Sequence, residues 1–194
     1  MASLFDKLEG EAFRKGLKAR SKEANAWFAS NVSKLGKIGS GKMLGDDRLR
    51  KQSGASPGDM VMYTYNPKLK DVLPYYDAFP LTIVVGPAKD GFYGINLHYL
   101  PPKVRAIFLD KLNDTASNQK FNATTRFKLT YKLLMATRSY KYFKPCFKHY
   151  LSANVTSNIM KVNAAEWNIA IFLQTANFKK ASVGTVWADS RKQY

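Results

Sequence analysis

Apolar residues recur at helical spacing through the first 35 positions. Leu4, Leu8, Phe13 and Leu17, then Ala24, Trp27, Phe28, Val32 and Leu35, follow the period of a buried helix face, broken between Gly16 and Ser21. The spacing predicts two short amphipathic helices. From 36 to 58 the chain is rich in Gly, Ser, Lys and Arg and holds no sustained period, which predicts a flexible basic linker or a loop ordered by a partner. At Pro57 the period changes to two: Met60, Met62 and Thr64 alternate with Val61, Tyr63 and Tyr65, the pattern of a strand. Leu81 to Val85 and Phe92 to Leu97 predict two further strands, joined across Pro87 to Gly91, where Asp90-Gly91 is a hairpin signal. Pro101-Pro102 opens a predicted helix with Val104, Ile107, Phe108, Leu109 and Leu112 on its apolar side. Helices are expected again at about 124–140 and 143–152, and a last strand at Asn168 to Leu173. Strands and helices in blocks, rather than alternating, give an α+β class: a small antiparallel sheet or open barrel at about residues 57–100, flanked by N-terminal and C-terminal helices. The expected division is a basic helical arm and flexible linker over 1–56, then an α+β core with a basic helical C-terminal part over 57–194.

Composition supports a packed core, with 45% hydrophobic and 13% aromatic residues in 194. The single cysteine, Cys146, excludes an internal disulfide. The best apolar run, Leu81 to Val85, falls far short of the roughly 18 residues of a membrane span, and the first residues lack the marks of a signal peptide. The expected setting is a cytoplasm, or a particle assembled there, with no membrane partner.

Charge changes the picture. Against 14 acidic residues stand 31 lysines and arginines, a net charge of +17, which implies an anionic partner. The excess is not spread evenly: residues 1–56 carry +6, residues 57–114 carry zero and residues 115–194 carry +11. Between Asp114 and Glu166 there is no acidic residue at all, while Lys120, Arg126, Lys128, Lys132, Arg138, Lys141, Lys144, Lys148 and Lys161 fall inside the gap. A solvated helix gains from mixing both signs at four-residue spacing, and this stretch does not mix them. A single sign over an extended area suits phosphate binding with counterion release. The candidate nucleic-acid contacts are therefore Arg14, Lys15, Lys18, Arg20, Lys37, Lys42, Arg48, Arg50 and Lys51 in the first flank. In the second they are Lys120, Arg126, Lys128, Lys132, Arg138, Lys141, Lys144 and Lys148, with Tyr140 and Tyr142 as rings set among cations where bases can stack.

Catalytic motifs fare worse. Gly36-Lys-Ile-Gly-Ser-Gly41-Lys42-Met43 approaches a phosphate-cradling loop, but Met43 stands where a magnesium-holding Ser or Thr is needed and no apolar strand precedes the glycines. Cys146 and His149 have metal-like spacing, yet two ligands make no site and His98 is distant; a buried cysteine and a surface histidine explain them. Asp71, Asp77, Asp90 and Asp110 form no close acidic cluster for a nuclease metal. No catalytic residue, metal site or cofactor is assigned. Pro74-Tyr-Tyr-Asp-Ala-Phe-Pro80 reads as a stiff loop with Asp77 bonded to backbone donors, and Asn96 and His98 as local hydrogen-bonding residues.

The neutral middle carries a resemblance. Tyr63-Thr-Tyr-Asn-Pro-Lys, Leu73-Pro-Tyr-Tyr-Asp-Ala-Phe-Pro-Leu81, Gly91-Phe-Tyr-Gly-Ile-Asn-Leu-His-Tyr-Leu-Pro-Pro102 and Arg105-Ala-Ile-Phe-Leu-Asp-Lys-Leu112 resemble a segment of the DNA end protectors, head-completion virion proteins of T-even-like tailed phages. The resemblance covers about residues 57–112. It implies a non-enzymatic virion protein, assembled in the host cytoplasm, that binds the end of packaged double-stranded DNA near the portal vertex and shields it from exonuclease. Portal, neck or tail proteins would be its neighbours. The alternative is a structural neck, tail or baseplate component whose basic surface docks on acidic proteins, and a metal-dependent nuclease stands third.

Overall fold

The structure, a computed structural model, describes residues 4–18, 21–45, 50–52, 54–117, 132 and 144–192. Two helices open the chain, α1 (Leu4–Arg14) and α2 (Lys22–Lys34), parted where the sequence predicts. On α1 the buried stripe is Phe5, Leu8 and Ala12, which retains Leu8 of the expected stripe but leaves Phe13 84% exposed. On α2, Ala24, Phe28 and Val32 repeat every fourth residue and are buried.

The segment expected to be a linker carries a short helix, α3 (Ser40–Leu44), and a strand, β1 (Arg50–Gln52). Ile38 and Met43 enter the core, and the Ile38 N–H donates to the Gln174 carbonyl. Two apolar residues and one backbone bond thus anchor residues 36–45 to the core.

Strands β2 (Met60–Met62), β3 (Tyr76–Asp77), β4 (Leu81–Ala88) and β5 (Gly91–Asn96) follow, then a 3-10 turn over Leu97–Tyr99 and helix α4 (Pro102–Ser117). The β4–β5 hairpin turns on Lys89 and Asp90, not on Asp90-Gly91: Ala88 pairs with Gly91, and Asp90 takes the left-handed conformation at φ 61°. Gly91 serves a different need, since a Cβ there would stand 1.8 Å from the Tyr150 carbonyl oxygen.

The C-terminal part holds β6 (Phe147–Leu151), β7 (Ile159–Val162), α5 (Trp167–Ala170), β8 (Phe178–Lys179) and α6 (Val183–Arg191). Two expectations are corrected here. Residues 147–151 are strand rather than helix, held in register with Gly91 to Ile95. Residues 167–170 are helix rather than strand, entered through a capping box in which Asn163 and Glu166 each satisfy the other's backbone. The helix expected at about 124–140 lies outside the described residues, apart from Lys132.

Six strands form one antiparallel sheet in the order β1-β7-β2-β4-β5-β6, and β3 pairs with β8 in a second, two-stranded sheet. The large sheet is open, with β1 and β6 as its edges. The predicted alternation sorts cleanly. Met60 and Met62 join Leu81, Ile83, Ile95, Met160 and the helices α1, α2 and α4 in the main core, while Val61 and Tyr63 turn to a second cluster with Tyr65, Val84, Phe92 and Tyr150. Among the described residues no helix is long and apolar enough to cross a membrane.

Candidate nucleic-acid interface

The predicted cations fall into distinct settings. Arg14 closes α1, Lys15 and Lys18 follow it, and Lys37 and Lys42 flank the buried Ile38 and Met43; all five are exposed. Arg50 and Lys51 lie on the edge strand β1. Lys132 and Lys144 are exposed. Arg20, Arg48, Lys120, Arg126, Lys128, Arg138, Tyr140, Lys141 and Tyr142 lie outside the described residues. Lys161, inside the acid-free stretch of sequence, is not unopposed in space: its ammonium meets the Asp59 carboxylate at 2.5 Å. Lys180 is architectural too, donating to the carbonyls of Lys70, Asp71 and Leu73 at 2.7–3.1 Å.

Lys148 is the exception among the candidates. It stands on edge strand β6 opposite Gly94, half-buried, with its ammonium 4.3 Å from the centre of the Tyr99 ring. Among the described residues it has no carboxylate partner and no hydrogen-bond acceptor. Burial lowers its pKa, with Cys146 acting in the opposite direction. Lys148 borders a recess of about 190 Å³ walled by Tyr65, Tyr75, Tyr76, Tyr99 and Tyr150.

These walls are fixed by ring packing. Tyr65 and Tyr150 meet edge to face at 5.0 Å, and the Tyr65 hydroxyl accepts from the Leu151 N–H, which ties the second cluster to β6. Tyr99 packs perpendicular to Phe178 at 5.1 Å, and Tyr75 lies 6.2 Å from Tyr99. On the other side of β6, Tyr93 stacks on Phe147 at 5.5 Å.

Beneath the recess lies a buried polar network. One Asp77 oxygen accepts from the Phe79 and Asn177 N–H groups at 3.1 Å; the other accepts from Asn96 Nδ2 at 3.1 Å and His98 Nδ1 at 2.6 Å. Burial acts to raise the Asp77 pKa, but His98 and the hydrogen bonds outweigh it and hold the carboxyl below its usual range. Burial lowers the His98 pKa, against the pull of Asp77, so the ring is neutral, with Nδ1–H donating to Asp77 and Nε2 accepting from the Thr175 hydroxyl. Arg105, pushed down to about 10 by burial, stands behind: its guanidinium donates to the carbonyls of Leu100 and Ile171. The expected backbone bonds to Asp77 and the local role of Asn96 and His98 are both present.

Two further recesses suit phosphate less well. One of about 730 Å³ beside the β4–β5 hairpin is lined by no charged side chain. Another, of about 450 Å³, reaches Arg105 and Lys37, but the Arg105 donors already face carbonyls. Cys146 is fully buried and its thiol is pushed up to about 12 by burial, far from a thiolate nucleophile. His149 is exposed, its Nε2–H donating to the Lys89 carbonyl at 2.8 Å. Among the described residues no group of three His, Cys, Asp or Glu side chains is arranged to hold a metal ion.

In the sequence Lys148 is marked by its charge alone and stands among cations expected to be solvated. Tyr75 and Tyr76 fall in the stiff loop expected between Pro74 and Pro80, whereas nothing local in the sequence marks Tyr99.

A family model described as the phage T4 terminal DNA protecting protein matches residues 8–190. No curated protein and no solved structure matches the chain.

Proposed function

Because the chain belongs to the family of the phage T4 terminal DNA protecting protein, we propose that it is a non-enzymatic virion protein. In this reading it binds the end of packaged DNA near the portal vertex and keeps exonuclease from it. The family match over residues 8–190 carries the reading. Protection of this kind is occupancy. An exonuclease must reach the terminal phosphodiester, and a protein held over that end denies access without making or breaking a bond. Occupancy needs affinity, which phosphate contacts from Lys and Arg supply with little regard to sequence. The exposed side chains of Arg14, Lys15, Lys18, Lys37, Lys42, Lys132 and Lys144 fit that use, and the candidates outside the described residues belong to the same proposal.

The test is affinity for linear duplex across a salt series. Each phosphate neutralised contributes roughly 0.9 to the slope of log affinity against log salt, so neutralising Lys128, Lys132, Lys141 and Lys144 together is expected to flatten it by up to about 3 to 4. In a parallel assay, bound linear DNA is expected to survive exonuclease digestion. Affinity indifferent to salt, or ends digested at the unprotected rate under saturating protein, would sink the reading.

A further inference from the structure

We propose that the tyrosine-walled recess at Lys148 is the seat of the DNA terminus itself, taking one end phosphate rather than the shaft of the duplex. The inference rests on the DNA-end reading above and gives it a residue-level site.

The first support is an unanswered ammonium. Lys148 carries three N–H donors and meets only the face of Tyr99 among the described residues. A lysine whose head needs nothing more ordinarily runs its stem along apolar surface and leaves the ammonium in water. Here the head is half-buried against the Tyr99 ring at the recess, a setting that rewards an anionic acceptor with charge-assisted hydrogen bonds. Asp77, at the floor, does not supply that acceptor: its oxygens already take four donors, and Arg105 lies behind the network.

The second support is size and shape. At about 190 Å³ the recess is smaller than the roughly 300–1,000 Å³ of pockets that enclose whole drug-sized ligands. Phosphates along a duplex are continuous with neighbours on both sides and cannot enter a hollow of this kind, whereas a terminal phosphate projects. Tyr65, Tyr99 and Tyr150 are buried, so the half-buried rings of Tyr75 and Tyr76 are the part of the wall that adds a surface indifferent to sequence, on which any base or sugar face can lie. The third support is rigidity. The walls are pinned by ring contacts and by the Asp77 network, so little ordering remains to oppose binding.

The experiment compares binding to one short duplex in four forms: 5′-phosphate ends, 3′-phosphate ends, hydroxyl ends, and the same length closed by hairpin loops at both ends. It uses the full chain and its Lys148→Met variant, which keeps an apolar stem and removes the charge. The expected result is a roughly ten- to hundredfold preference of the unaltered protein for one phosphorylated end over hydroxyl ends, the size of one charge-assisted hydrogen bond or two. The variant is expected to lose that preference while binding the closed duplex as before. Equal affinity for phosphate and hydroxyl ends in the unaltered protein overturns the inference and needs no variant to do so. Affinity for the closed duplex as high as for open ends overturns the end-binding reading instead. A free 5′-mononucleotide competing as well as the phosphorylated duplex identifies a nucleotide site and also overturns the inference.

Discussion

Asp77 is the residue whose removal should cost the fold most for its size. It sits on the two-stranded sheet, 4% exposed, and joins three places: the loop between Pro74 and Pro80, the end of β5 through Asn96 and His98, and the C-terminal segment through Asn177. Asp77→Ala leaves four donors without an acceptor, three of them on the fully buried residues Asn96, His98 and Phe79. A buried donor left unsatisfied costs about 1–3 kcal/mol, and breaking a buried charged network about 3–5 kcal/mol. The expected loss is therefore about 4 kcal/mol, or a fall of roughly 8–16 °C in the thermal midpoint for a chain of this size. Asp77→Asn keeps one acceptor oxygen for the two backbone N–H groups, and His98 can present a bare Nδ1 by changing tautomer; only the donor of Asn96 faces another donor. Its expected loss is about half. Urea denaturation followed by circular dichroism reads both variants. A loss under about 1 kcal/mol for Asp77→Ala, or an Asn variant worse than Ala, would refute the reasoning.

Other outcomes follow from single contacts. Gly91→Ala places a methyl against the Tyr150 backbone and forces β6 away from β5, with an expected loss of about 1–3 kcal/mol or more in urea denaturation; an unchanged midpoint would show the strands are not so close. Cys146, with its thiol buried and pushed up to about 12, is expected to resist a thiol reagent at pH 8 in the native protein and to react once unfolded; immediate native reaction contradicts the burial. Acid should destabilise in two stages. The unfolded chain protonates histidine near 6.5 while buried His98 resists, so stability falls as pH drops below that value. A second loss begins near 3.8, where the unfolded Asp protonates first, and completes as pH falls through the lower folded value of Asp77. Denaturation midpoints at pH 8, 6, 5 and 3 check the order, and a midpoint that rises toward acid contradicts it.

The legible parts of the fold are those governed by local period. The alternation from Met60 to Tyr65 sorts its residues between the two clusters because side-chain direction in a strand is set by the neighbouring residue alone. The parting of α1 and α2 is legible for a similar reason. Residues 147–151 mislead because Lys148 and His149 break any simple alternation, and their pairing partner, β5, lies more than fifty positions away in sequence. Residues 167–170 mislead differently: Ile169 to Leu173 is an apolar run that suits either element, and Asn163 with Glu166 is the deciding capping signal. At the site, cations are visible in sequence but their partners are not. Asp59 and Lys161 meet across the sheet through the pairing of β2 with β7, so a stretch that is acid-free along the chain is not acid-free in space.

This difference between charge in sequence and charge in space bears on how an end can be told from a shaft. Counterion release is indifferent to geometry; any exposed lysine near a phosphate contributes, and the same lysine serves an internal phosphate equally well. Exposed cations such as Lys132 and Lys144 therefore raise affinity for all DNA together and cannot by themselves prefer a terminus. Preference requires a donor fixed in depth, so that a projecting group reaches it and a continuous backbone does not. A flexible tail cannot hold such a donor. A strand woven into the sheet can, and β6 is where the basic flank becomes such a strand, with Lys148 turned into the tyrosine walls on one side and Phe147 stacked on Tyr93 on the other. On this argument neutralising exposed cations lowers affinity alike for open and closed DNA, whereas altering Lys148 changes only their ratio. The two classes of variant should separate on a plot of end preference against total affinity.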